Sequence, residues 1–96
     1  MHKVINITYE TETEFRQQME EHADTIHNNT LYGIDEAFNT DDDNAFIAFL
    51  NHDSVMAIPK GEWLDNLEHT LEYFISIENY EKCSEVKELT NKLSNS

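Results

Sequence analysis

The 96 residues of this chain suffice for one domain with a single hydrophobic core and are too few for a second. The balance of 20 Asp and Glu against 6 Lys and Arg leaves a formal net charge of −14. Direct binding to DNA, RNA or an anionic membrane, which needs cations to replace counterions at phosphate, is therefore disfavoured.

The charge is uneven. Between Val4 and Pro59 there are 12 acids and one base, Arg16, for a net of −11, whereas Lys60 to Ser96 carries 8 acids and 4 bases. Self-repulsion on this scale costs stability. The Ile, Leu, Val, Phe, Tyr, Trp and Met residues spread along the chain nevertheless argue for a folded protein. A lone Cys83 precludes an intramolecular disulfide and reads as a small buried apolar residue, which fits a reducing cytoplasm. No apolar run approaches the roughly 18 residues of a membrane span. Met1-His2-Lys3 leads into a strand-like segment rather than a signal-peptide core. The expected location is the cytoplasm.

In chain order, Val4 to Tyr9 is β-branched and aromatic with Ile5, Ile7 and Tyr9 alternating onto one face, which predicts a strand at about 3–9. Thr11 with Glu14 three residues later fits a capping box. Phe15, Met19, Ala23 and Ile26 then recur at helical spacing through about residue 27. Glu12, Glu20, Glu21 and Asp24 occupy the other faces, and Asn28-Asn29-Thr30 reads as the helix end. Residues 31–38 read as a loop with one turn, because Gly33 weakens any regular element there. Two apolar runs, Ala45 to Leu50 and Ser54 to Ile58, flank Asn51-His52-Asp53 and predict a β-hairpin with Phe46, Ala48 and Leu50 on one face and Ile47 and Phe49 on the other. A helix starting at an Asp41 cap is the competing reading of 45–58.

After Pro59-Lys60-Gly61, an amphipathic helix is predicted over about 62–75 with apolar positions Trp63, Leu64, Leu67, Leu71, Phe74 and Ile75. A second, over about 79–93, has Tyr80, Cys83, Val86, Leu89 and Leu93, and the short connection makes the two an antiparallel helical hairpin. The terminal Ser94-Asn95-Ser96 should fray. The fold class that results is α+β: a small sheet, formed by the N-terminal strand and the hairpin, packed against an N-terminal helix and a C-terminal helical hairpin.

No catalytic motif is present. Counting from Asp41, the acidic run Asp41-Asp42-Asp43-Asn44 places Phe46 and His52 where an EF-hand loop needs Gly and Glu, so calcium is not expected. His2, His22, His27, His52 and His69 form no HExxH pattern and read as surface residues with a pH-sensitive charge. Neither metal nor cofactor is expected. Carboxylate pairs such as Glu20/Asp24 and Glu68/Glu72 are ordinary for a solvated acidic face, and two glycines leave little for a phosphate cradle. The spacing of Trp63 with Leu67 and Leu71 favours a core role over an exposed interface anchor.

Residues Leu71 to Leu93, above all Glu78-Asn79-Tyr80-Glu81-Lys82-Cys83-Ser84-Glu85-Val86-Lys87-Glu88-Leu89, resemble the UVR motif of nucleotide-excision-repair and Clp-regulating proteins. Tyr80, Glu81, Cys83, Ser84 and Val86 fit its places, and Lys87 stands where Arg is usual. That resemblance implies a protein-docking hairpin rather than catalysis. In size, charge and lack of catalytic motifs, the chain also resembles small acidic DNA-mimic proteins, including the Arn-type anti-restriction proteins of T-even phages.

This second resemblance implies a binding inhibitor whose carboxylates replace DNA phosphates in the groove of a basic nucleic-acid-binding protein. The carboxylates expected to do so are Glu10, Glu12, Glu14, Glu20, Glu21, Asp24, Asp35, Glu36, Asp41, Asp42 and Asp43. The C-terminal hairpin would serve as scaffold, and the host cytoplasm would be the place of action for a phage product. A symmetric homodimer would extend such an acidic stripe, and oligomeric state is left open by the sequence.

Overall fold

The computed structural model describes residues 3–95. The readings that involve Met1, His2 and Ser96 lie outside them. The elements in order are strand β1 (Asn6–Ile7), helices α1 (Glu12–Glu21) and α2 (Ala23–Asn39), strands β2 (Asn44–Leu50) and β3 (Ser54–Pro59), a single 3-10 turn over Lys60–Glu62, and helices α3 (Trp63–Ser76) and α4 (Tyr80–Ser94). The described residues form an α+β fold of four helices and a three-stranded sheet in the order β1-β2-β3. Strands β1 and β2 run parallel, which requires the α1–α2 crossover between them, and β2 and β3 form the antiparallel hairpin.

The first strand is shorter than its β-branched sequence suggests, and asparagine side chains stand in for much of its ladder. Beside Asn6–Ile7, the backbone contributes Phe49 N to Ile5 O and Asn51 N to Ile7 O, both at 2.9 Å. On one side, Asn6 Oδ1 accepts from His52 N at 2.8 Å, and Asn51 Oδ1 accepts from Tyr9 N at 2.8 Å. On the other, the Asn29 carboxamide reaches from α2. It accepts from Lys3 N at 2.9 Å and donates to Lys3 O at 2.6 Å and to Ile47 O at 3.0 Å. Asn29 is 0% exposed, so its amide works as a buried peptide-like unit between the incoming chain and β2.

That contact explains why α2 runs on to Asn39, through the polar triplet and the loop expected at 31–38. Ile26, Thr30, Gly33, Ile34 and Ala37 are buried along one stripe at helical spacing. The polar groups that should have stopped the helix are satisfied instead: Thr30 Oγ1 donates to Ile26 O at 2.8 Å, Asn28 Nδ2 to Asp24 O at 2.8 Å, and Asn29 to the strands. Burial of the stripe outweighs weak local propensity. The break falls earlier, at His22, whose backbone (φ −102°, ψ 17°) leaves the helical region and divides the expected single helix into α1 and α2. Thr11 caps α1 through its side chain, accepting from Glu14 N at 3.1 Å. No residue of α1 is buried, and it is held through partly buried Phe15 and Met19, with Phe15 edge-on to Tyr9 at 4.8 Å.

The hairpin forms as expected, and Asn51 (φ 50°) and His52 (φ 67°) take the two left-handed positions that a type I′ turn requires. Its facing does not follow simple alternation. Phe46 pairs with Ala57 and Ala48 with Met56, so Ile47 is an extra residue in a β-bulge. The bulge shifts the phase: Ala45, Ile47 and Ala48 all reach the core, and Phe46 and Phe49 come together on the outer face, ring to ring at 5.1 Å.

Helices α3 and α4 form the expected hairpin, joined at Glu78 in the left-handed region (φ 58°), with Asn79 Oδ1 capping α4 at Lys82 N, 3.2 Å. Trp63 is a core residue, 2% exposed, with Nε1 donating to Ile58 O at 2.8 Å. Cys83 is likewise buried. Leu64, Ile75 and Tyr80, which the periodicity assigned to the apolar faces, are exposed.

Truncating Asn29 strips two carbonyls and one N–H of their buried partner, at about 1–3 kcal/mol for each group that water does not recover. Urea unfolding of Asn29→Ala is expected to show a loss of about 2–4 kcal/mol. Asn29→Asp should lose more, since a carboxylate cannot donate to either carbonyl and would bury charge. A loss below about 0.5 kcal/mol for Asn29→Ala would remove the amide from its proposed role.

Candidate functional site

The eleven carboxylates of residues 10–43 do not form one continuous array. Glu10, Glu12 and Glu14 sit around the start of α1, where Glu14 Oε2 accepts from Glu10 N at 3.2 Å and Glu12 pairs with Arg16 at 3.0 Å. Glu20, Glu21 and Asp24 gather about the α1–α2 break. At the far end of α2, about 25 Å from its start at 1.5 Å per residue, Glu36 and Asp42 line a shallow groove with Val4, Thr40, Asn44 and Phe46. Asp41 and Asp43 flank Asp42 in the exposed turn, where Asp42 Oδ1 accepts from Asn44 N at 3.0 Å. Asp35 is set apart, 3.6 Å from Lys92 of α4. Of the eleven, only Glu12 and Asp35 have a cation within ion-pair distance among the described residues.

Between α1–α2 and α3, above the sheet, lies a cleft of about 360 Å³. Met19, Ala23, Ile26, Ile47, Met56 and Ile58 give it an apolar lining, with Glu20, His27, Thr30, Asn66, His69 and Thr70 as its polar groups. The volume falls within the ordinary range for a ligand or side-chain pocket. Its position follows from the fold: the bulge turns Ile47 inward, β3 presents Met56 and Ile58, and the break at His22 lets α1 form a bank.

His27 is the group that reading the sequence as surface histidines missed. Its Nδ1 lies 2.9 Å from Thr70 Oγ1, and its ring stacks on Tyr73 at 4.4 Å and 16°. Tyr73 in turn donates to Asp24 Oδ1 at 3.4 Å. Thr70 is 1% exposed, so its hydroxyl holds the imidazole rather than facing a reactant. Burial pushes the His27 pKa below its ordinary 6.5; Asp24 opposes that shift and His69 adds to it. Burial and the Asp24 carboxylate raise the Tyr73 phenol. The i, i+4 relation of Ala23 to His27 and the matching spacing of Asn66 to Thr70 were legible, but nothing in the sequence shows that the two pairs meet. Among the described residues, no group of three or more His, Cys, Asp or Glu is placed to hold a metal ion, and no helix is long and apolar enough to cross a membrane.

Because His27 binds a proton less readily in the folded than in the unfolded chain, its contribution to stability is in place above about pH 6.5 and is lost as the pH falls below that value. Relief of carboxylate repulsion acts in the opposite direction in wild type and variant alike. The melting-temperature advantage of wild type over His27→Gln should therefore shrink between pH 7 and pH 5. A pH-independent difference would contradict the burial of His27.

Compared with protein-family models, curated proteins and solved structures, the chain matches none.

Proposed function

We propose that this protein is an acidic inhibitor that mimics DNA and occupies the basic nucleic-acid-binding surface of a host defence or DNA-processing protein. It acts by binding rather than by catalysis, as a phage or mobile-element product in the host cytoplasm. The observation that carries this reading is the scarcity of internal cations: nine of the eleven carboxylates in 10–43 lack an ion-pair partner among the described residues. Exposed carboxylates without a cation repel one another, even where an oxygen, as in Glu14 and Asp42, also accepts from a backbone N–H. A cationic groove would supply the missing countercharge, with steering at long range and specificity at contact. The three groups of acids, at the start of α1, at the α1–α2 break and at the far end of α2, suit separate basic contacts along an extended surface.

The exposed Ile75, Ile77 and Tyr80, the last 63% exposed, favour a second reading. They cluster at the turn of the α3–α4 hairpin, where the UVR-like residues lie, and exposed apolar groups of this kind serve protein docking. In that reading the hairpin docks a regulator and the acidic half is a solubility surface.

Affinity capture from the native host followed by a duplex-DNA challenge separates the two. Mimicry predicts a basic partner that DNA displaces. It also predicts that the triple variant Glu10→Lys, Glu20→Lys, Glu21→Lys weakens binding about tenfold or more, whereas Glu81→Lys with Glu88→Lys has a several-fold smaller effect. A partner indifferent to DNA and to the triple variant, but lost on Tyr80→Ala, would replace mimicry with the docking hairpin.

A further inference from the structure

We infer that the cleft between α1–α2 and α3 receives one aliphatic or aromatic side chain of the basic partner, flanked in that partner by Lys or Arg. The inference rests on the reading of the protein as a binder of basic surfaces. A purely electrostatic decoy needs no concave apolar site, yet this fold keeps one open beside its carboxylates. Ile26, Ile47, Met56 and Ile58 line it with aliphatic surface, and Met19 and Met56 are unbranched side chains that adapt to different occupants.

The α1–α2 bank of the cleft is acidic. There Glu20 lines the cleft and has no cationic partner among the described residues, and Asp24 accepts from Tyr73, whose ring stacks on His27 of the lining. On the α3 side Asn66, His69 and Thr70 line the cleft, and the exposed Glu72 lies 4.0 Å from His69 Nδ1. No Lys or Arg lines the cleft. The chemistry that complements an apolar hollow with carboxylates along one bank is an apolar anchor flanked by cations. Side chains of this kind carry much of the energy of protein interfaces when they fill a desolvated pocket, and the surrounding charges select the partner. His27, held by Thr70 and Tyr73, forms a rigid polar wall that the anchor would further exclude from water.

The test is titration of the intact protein with the capped pentapeptide Lys-Arg-Leu-Arg-Lys, its Ser-centred counterpart and the neutral Gln-Gln-Leu-Gln-Gln. The readouts are the NMR methyl signals of Met19 and Met56 and the ring signals of His27. The expected result is that the Leu-centred basic peptide binds about tenfold more tightly than the Ser-centred one and shifts all three residues. The Ser-centred peptide should shift only surface acidic residues. Ala23→Leu, which fills the cleft, should abolish the preference for Leu. Glu20→Lys, which reverses the charge at the cleft while leaving its apolar lining unchanged, should weaken both basic peptides.

Equal binding of the two basic peptides with silent cleft signals would overturn the inference and leave the acidic-surface reading standing. Absence of binding by both basic peptides at low salt would overturn both. Equally tight binding of the neutral peptide would assign the cleft to an uncharged ligand and overturn the basic partner proposed for it.

Discussion

The buried carboxamide of Asn29 is the contact on which the arrangement depends. A parallel strand of two residues cannot be secured by its own ladder, yet β1 closes the sheet and brings Ile7 into the core. One side chain from the middle of α2 meets both backbone groups of Lys3 and the carbonyl of Ile47 at the bulge. This fixes the distance between helix and sheet. Asn6 and Asn51 repeat the device at the other end of the strand, each accepting from a backbone N–H. Three amides thus do the work of backbone pairing, in a chain whose charge already strains the folded state.

The elements with strong periodicity were legible. The α3–α4 hairpin falls within about a residue of its expected limits, Trp63 is a core residue, and the β-hairpin forms at Asn51-His52. Legibility failed where tertiary contacts override local chemistry. Asn28-Asn29-Thr30 has the composition of a helix end, but its side chains are satisfied by α2's own turns and by strands distant in sequence. The facing of β2 was misread because a bulge at Ile47 is invisible to a period-2 pattern. Leu64, Ile75 and Tyr80 suit an apolar stripe in register, and only the packed hairpin shows that they point outward.

The candidate acids were easy to find, but their grouping was not. Glu20, just before the break at His22, lines the cleft, while Asp35 is drawn toward Lys92. The cleft itself needs residues from α1, α2, β2, β3 and α3 together, and no local motif announces such a convergence. Under the proposed function, charge and cavity act together: the unpaired carboxylates would attract cations, and the apolar hollow beside Glu20 would give that encounter a register.

The most direct measurement of this claim is the affinity of the intact chain for its captured partner as a function of salt. An interface that replaces DNA phosphates must weaken steeply, by about tenfold or more between 50 and 200 mM salt, as counterions compete for the same cations. A change of less than about twofold over that range would show that the carboxylates are not the binding groups.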